Sequence, residues 1–404
     1  MLEDGERLAR SILWDIQARY FAEAGASAWT EGVVPHYVTC NPAVARAYSR
    51  MALAFLRDSR ERLRSEEPVY ILELGAGVGR LGYHFLSHFR ELMKRGPFPN
   101  QRYCYILSDY ARSTVDFWLS HPPLRQAAGE GVLDFACYNP ARDEGLTLVR
   151  SGVRLKPGGL SHPLMVIANY FFDGVPADVF YLKEGRLHES LLSVASDRPE
   201  PDPHNPDILG RMLTRFEHVP LGSSDYYDDP LTNAVLEHYR ERLRSSVLLF
   251  PSGSMQVLER LRRLSGDQLL LIAADKGYGR FEELDYRQEP LINVHGSFSI
   301  MVNYHALALF AERAGGTTAG LSHPHHSLYT GMFSFGDARP ESRLAFGEHI
   351  DEGGPDDCFA LKKAIEEQFA HFSVGQLISY LRLTGWDANI LSQAFPTIME
   401  KIED

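Results

Sequence analysis

The residues most suggestive of chemistry are Glu73-Leu-Gly75-Ala76-Gly77-Val-Gly79-Arg-Leu-Gly82. Glycines carry no Cβ, so the backbone can turn sharply and come close to a ligand. A helix that starts straight after such a turn offers free N–H groups to whatever binds there. The phosphate-binding P-loop is not written here, because no Lys-Ser/Thr follows the last glycine. The dinucleotide pattern G-x-G-x-x-G fails from Gly75, where Arg80 stands in the third place. It is met only in a later register, Gly77-x-Gly79-x-x-Gly82, without the acid expected about 20 residues further on. A second carboxylate, Asp109 in Leu107-Ser-Asp-Tyr110, can only accept hydrogen bonds when ionised. A third group, Asn169-Tyr-Phe-Phe-Asp173-Gly-Val-Pro176, holds a carboxylate able to take a proton or to cap a turn.

These residues need elements to hold them. Val69–Leu74 is a short, mostly apolar run that predicts a buried strand leading into the glycines. After the turn, Leu81, Phe85, Phe89 and Leu92 fall at helical spacing. Tyr103–Leu107, Val132–Ala136, Leu164–Ala168 and Leu269–Ala273 predict four further strands, and Ser327–Phe335 a last one. Strands separated by helical stretches predict a parallel α/β sheet, in which ligands bind beyond the carboxyl ends of the strands. Val179–Leu182 and Leu187–Val194 flank Lys183-Glu-Gly-Arg186 and predict a hairpin. The expected organisation is a helical N-terminal lid over 1–66 and a sheet domain over 67–337. A helical insertion is expected at about 197–265, and 338–404 reads as a linker followed by a helical appendage.

Composition bounds the function. The 404 residues are 44% hydrophobic and 23% charged, as in ordinary globular proteins. The net charge of −12 argues against a nucleic-acid partner, which needs clustered cations. Cys40, Cys104, Cys137 and Cys358 form no CxxC pair, so neither a zinc ribbon nor a redox motif is expected. No run of about 18 apolar residues predicts a membrane span, and Met1–Arg10 does not read as a secretory signal. A cytoplasmic protein with no membrane partner and no metal is expected. His295, His305 and the cluster His323-Pro-His325-His326 read as structural or loop residues.

Read from the strand end, the turn is acidic-x-G-x-G-x-G. This resembles the first motif of class I S-adenosylmethionine-dependent methyltransferases. The resemblance implies that Glu73 lies beside the cofactor's methionine amino end and that Gly75, Ala76, Gly77 and Gly79 face the cofactor. It implies that Asp109 binds the ribose hydroxyls. The stretch 168–176 resembles the Asn-Glu-Phe-Phe-Asp-Ala-Leu-Pro signature of MidA-like methyltransferases, a family that includes the mitochondrial complex I assembly methyltransferase, which modifies a protein arginine. The match covers Asn169, Phe171, Phe172, Asp173 and Pro176, while Tyr170 stands at the family's Glu. Asn-x-x-Phe is also similar to the Asn/Asp-Pro-Pro-Tyr/Phe motif of amino-group methyltransferases, with both prolines absent. Tyr37-Val-Thr39, Ala274-Asp-Lys-Gly277-Tyr-Gly279 and Val302–Gly315 resemble further family segments, in order.

The resemblance implies a Rossmann-like class I methyltransferase sheet, mostly parallel with an antiparallel hairpin end strand. It implies S-adenosyl-L-methionine as cofactor, with Thr39 added to the residues that bind it. Methyl transfer to a nitrogen of a protein, peptide or small amine is the expected reaction. Asp173 and Asn169 are the candidate catalytic residues, and Tyr170 and Phe172 the candidate substrate contacts. Two rivals are a nicotinamide-dependent dehydrogenase and a cofactor-binding or assembly protein that does no chemistry.

Overall fold

A computed structural model describes residues 1–403 except Pro35, Ser65, Ser223 and Ser224. Seven strands build the central sheet: β1 Val69–Leu74, β2 Tyr103–Asp109, β3 Leu133–Cys137, β4 Leu164–Asn169, β5 Leu269–Asp275, β6 Thr317–Gly320 and β7 Tyr329–Phe335. Their order is β6-β7-β5-β4-β1-β2-β3. The pairs β1–β2, β2–β3, β1–β4 and β4–β5 are parallel, and β7 runs against both β5 and β6. The mostly parallel α/β sheet with an antiparallel end is therefore present. Its strands are almost continuously apolar because helices cover both faces, and Leu72, Ile106, Val166 and Ile272 are fully buried.

The chain lays β1, β2 and β3 towards one edge and then returns to place β4 on the other side of β1. The order reverses between β1 and β4, and open sheets of this kind hold ligands at that reversal. The glycine turn follows β1 and Asn169 ends β4, so the two motifs flank the same crevice. The helix Arg80–Arg95 buries Leu81, Phe85 and Phe89 as its spacing predicts. Pro42–Asp58 forms a long helix whose first turn is capped by Asn41 Oδ1, which accepts from the Val44 amide at 3.1 Å.

The predicted hairpin belongs to a second sheet. Asp178–Lys183 and Arg186–Ser196 pair there with Glu3–Arg7, Met212–Pro220 and Ser245–Phe250. The segment 197–265 is thus not purely helical, since it supplies two of these strands beside its helices Pro230–Arg242 and Ser252–Leu264. Met212–Pro220 is a solvent-facing edge strand with little apolar periodicity to reveal it. Ser245–Phe250 is a short apolar run, which periodicity does not separate from a helix. The N-terminal region likewise opens with a strand, Glu3–Arg7, before its helices.

The linker expected from residue 338 is also helical. Pro340–Phe346 is a helix that continues through Gly347–Asp351. Pro340 pre-sets its first turn, and Asp58 accepts from the Glu341 and Ser342 amides at 3.0 and 2.8 Å. A cap supplied 283 residues away leaves no local signal. The tail forms the helices Pro355–Glu366, Val374–Leu383 and Ala388–Glu403 around a small core that includes Leu377, Leu381, Ile390 and Ala394. No helix among the described residues is long and apolar enough to cross a membrane.

Candidate active site

One cavity opens at the reversal between β1 and β4. Its lining comes from the N-terminal helices, the glycine turn, the ends of β2, β3, β4 and β5, and the hairpin at 293–299. Gly75, Gly77 and Gly79 have φ of 60°, 53° and 75°, the left-handed region that only glycine enters freely. A Cβ on Gly77 would stand 3.1 Å from the Trp29 indole. The Trp118 indole N–H donates to the Gly77 carbonyl at 2.8 Å and anchors the turn from behind. Gly75, Ala76 and Gly77 line the cavity. Gly79 does not: its Cβ position meets Leu107 at 2.9 Å and Leu124 at 3.2 Å, so it serves the close approach of helix to sheet.

Two carboxylates stand at the turn. Glu73 lines the cavity but is only 5% exposed, and its Oε2 accepts from the Tyr105 hydroxyl at 2.8 Å. Burial pushes its carboxyl up to about 8, against the hydrogen bonds from Tyr105 and the Gly82 amide. Asp109 ends β2, and its Oδ1 accepts from the Ala111 amide at 2.9 Å. Burial pushes it up to about 6, while amides of Ala111, Gly77 and Tyr110 favour its ionised form. Thr39 also lines the cavity, as do Tyr138 and Asn139 after β3.

The other wall begins at Asn169. Both ends of its amide are engaged: Nδ2 donates to the Thr39 carbonyl at 2.9 Å, and Oδ1 accepts from the Tyr48 hydroxyl at 3.0 Å. It ties β4 to the N-terminal segment, and Oδ1 keeps one lone pair for another donor. Tyr170 follows with φ of 47°, a left-handed conformation uncommon for a bulky residue, and lines the cavity. Phe172, a candidate substrate contact in the sequence, is instead 2% exposed and belongs to the core. Phe171 takes the place at the cavity wall, next to Gly75. The β-strand alternation ends at Tyr170, so residue spacing could not tell the two rings apart.

Asp173 lines the cavity inside a single tight turn, Phe172–Gly174, where it caps no helix. Its carboxyl neighbours Asp275 at the end of β5, whose buried Oδ1 has no partner among the described hydrogen bonds. Burial pushes Asp173 up to about 7, opposed by the neighbouring Asp275 and by Lys276. Asp275 is fully buried, and burial with the neighbouring Asp173 charge raises it well above the usual carboxylate range. The Tyr304 hydroxyl donates to Asp275 Oδ2. With both carboxyls raised, the protonated form is favoured at this pair. In the sequence Asp275 stands out only as part of the stretch 274–279, although it ends a parallel strand, where such sites form.

The N-terminal residues Gln17, Phe21 and Trp29 also line the cavity, together with Lys276, His295, Phe298 and Ser299. Gln17 Nε2 donates to the Phe298 carbonyl at 2.8 Å, and Phe21 stacks on Trp29 with ring centroids 5.4 Å apart. The N-terminal helices thus form a strap from the hairpin to the glycine turn. The hairpin tip, Gly296, has φ of 79° and no room for a Cβ beside Val33 and Tyr20.

No protein-family model matches the chain, and no curated relative matches it. Solved structures do. A COG1565 superfamily protein from Burkholderia thailandensis is similar, with 13% identity over 96% of this chain and 89% of that one and a TM-score of 0.47. So is a COG1565 superfamily member from the same organism bound to S-adenosyl-homocysteine, with 13% identity over 98% and 89% and a TM-score of 0.45. Magnesium protoporphyrin IX methyltransferase from Synechocystis PCC 6803, with the same product bound, shares 10% identity over 79% of this chain and 99% of that one, at a TM-score of 0.35.

Proposed function

We propose that the chain is an S-adenosylmethionine-dependent methyltransferase acting on a nitrogen acceptor, a small amine or a peptide side chain. The observation that carries this reading is the meeting of three things in one cavity. A left-handed glycine turn lies at the reversal of strand order, Asp109 ends the neighbouring strand, and Asp173, its carboxyl raised by burial beside Asp275, faces them from the end of β4.

The turn leaves backbone close to the ligand, and Asp109 has acceptor oxygens for a vicinal diol. The cofactor supplies a methyl carbon on a sulfonium. An acceptor nitrogen that took the methyl through its lone pair, with the S–C electron pair staying on sulfur, would lose one proton. The ionised member of the Asp173–Asp275 pair can take that proton. Orientation is the protein's other contribution, and it can lower the barrier by several kcal/mol.

The test is calorimetric titration of the wild type and a Gly77→Arg variant with S-adenosylhomocysteine, and of the wild type with NAD. Micromolar binding, about −8 kcal/mol, is expected for the wild type with the first ligand only. The variant should lose it, since the new side chain meets Trp29 in a backbone conformation unsuited to it. Preferential binding of NAD would favour the dehydrogenase rival and end this reading.

A further inference from the structure

The charges on the cavity wall are unevenly distributed. On the acceptor side the carboxylate Asp173 is engaged with Asp275, and Tyr170 stands where the sequence resemblance expects an acid. The charge that Asp173 carries is shared with Asp275 and lies in the field of Lys276, so no carboxylate there is set apart for a guanidinium or an ammonium group. Two cations do line the cavity, Arg80 and Lys276, and neither forms an ion pair with any described residue. Arg80 opens the helix that follows the glycine turn, on the cofactor side. A single amino-acid carboxylate on the cofactor accounts for one cation. Lys276 is left over.

Lys276 follows Asp275 directly, close enough to depress the titration of both Asp173 and His295. Burial also keeps the His295 imidazole neutral. Its Nε2 meets Ser299 Oγ at 3.2 Å, while its buried Nδ1 has no partner among the described residues. The wall therefore combines an ammonium that makes no ion pair with a described carboxylate, an unfilled imidazole nitrogen and the carboxyl of Asp173, raised by burial. Phe21, Tyr170, Phe171 and Phe298 supply flat apolar surface around them.

We infer that the acceptor is a small aromatic or heteroaromatic acid, its anionic group held by Lys276 and its uncharged ring or amino nitrogen turned to Asp173 and His295. This rests on the methyltransferase reading and narrows it. A cationic arginine or lysine side chain would meet Lys276 with like charge, whereas an acid meets it with opposite charge and gains a charge-assisted hydrogen bond.

The experiment uses the full chain saturated with S-adenosylhomocysteine. Two matched pairs are titrated into it: anthranilate with anthranilamide, and imidazole-4-carboxylate with its amide. Each acid should bind at least about ten-fold more tightly than its amide, the size of one favourable charge contact. Lys276→Met should reduce that preference to less than about two-fold, and Lys276→Arg should keep it. Both variants should bind S-adenosylhomocysteine and unfold thermally as the wild type does. Equal affinity for acids and amides, no binding of either acid, or a preference that survives Lys276→Met would overturn the inference. So would tighter binding of Nα-acetyl-arginine methylamide than of the acids. If the wild type itself fails to bind S-adenosylhomocysteine, the methyltransferase reading falls, and this inference with it.

Discussion

The two walls of the cavity are built in different ways. The cofactor wall is local: Glu73 to Gly79 are contiguous, and Asp109 lies on the adjacent strand. Backbone conformation does most of its work, through the left-handed Gly75 and Gly77 and the amides that meet Asp109. The acceptor wall is composite. Asp173 comes from β4's end with the buried Asp275 behind it, Lys276 from β5's end, His295 and Phe298 from a hairpin, and Gln17 and Phe21 from the first helix. Side-chain contacts across long sequence separations hold it, such as the Gln17 bond to Phe298 over 281 residues. A wall made by backbone turns constrains its ligand by shape, whereas a wall made by side chains on several segments can change its ligand by a few substitutions.

The sharpest way to break this comparison is a pair of substitutions. Asp109→Asn should weaken S-adenosylhomocysteine binding by about 10- to 100-fold, roughly 1.4–2.8 kcal/mol, because an ionised acceptor in a buried site is lost. Asp173→Asn should leave that affinity within about two-fold and remove methyl transfer. Calorimetry on both variants decides it. Equal losses would mean that the two walls are one energetic unit.

A smaller effect separates the walls by pH. Glu73 titrates at about 8 in the fold, far above the ordinary carboxylate value of 4.5. The folded protein therefore holds a proton that the unfolded chain gives up. The stabilisation from this group is complete below about pH 4.5 and is lost as pH rises through about 8. Glu73→Gln mimics the protonated form and keeps an acceptor for Tyr105. Chemical denaturation should find the variant and the wild type equally stable at pH 4.5, with the variant more stable by about 1–3 kcal/mol at pH 8.5. A variant that loses stability at pH 8.5 would show that the fold favours the ionised Glu73 and does not raise it.

The smallest effect tests how far the acceptor wall extends. The Tyr37 hydroxyl donates to Asp387 of the C-terminal helices at 2.8 Å, and the same short helix carries Thr39, whose carbonyl holds Asn169. Tyr37→Phe should loosen the tail by about 0.5–1.5 kcal/mol, read as faster amide exchange in Val374–Leu383. Cofactor affinity should change by less than about two-fold. A larger loss would make the tail part of the cofactor site.

What could be read without coordinates follows the same divide. The parallel sheet announced itself through buried apolar runs, and the glycine turn through its place between such a run and a helical period. The cavity lining includes Glu73, Gly75, Ala76, Gly77, Asp109, Thr39, Asn169, Tyr170 and Asp173. Gly79 and Phe172 turned to the core instead. Their neighbours in sequence face the cavity, and one residue's rotation along an irregular turn reverses the direction of a side chain. The second sheet escaped reading because Glu3–Arg7 and Met212–Pro220 are polar edge strands that find their partner, Arg186–Ser196, far away in the chain.

Residue order alone determined the elements with strong periodicity and the conformations that only glycine tolerates, because both are set by neighbours within a turn or two. Tertiary structure alone decided that Asp275 would be buried beside Asp173 with its carboxyl raised, and that Asn169 would spend its amide on Thr39 and Tyr48. Those properties depend on burial and on contacts between distant segments. Water is excluded, and the charges meet, only once the chain has closed around them.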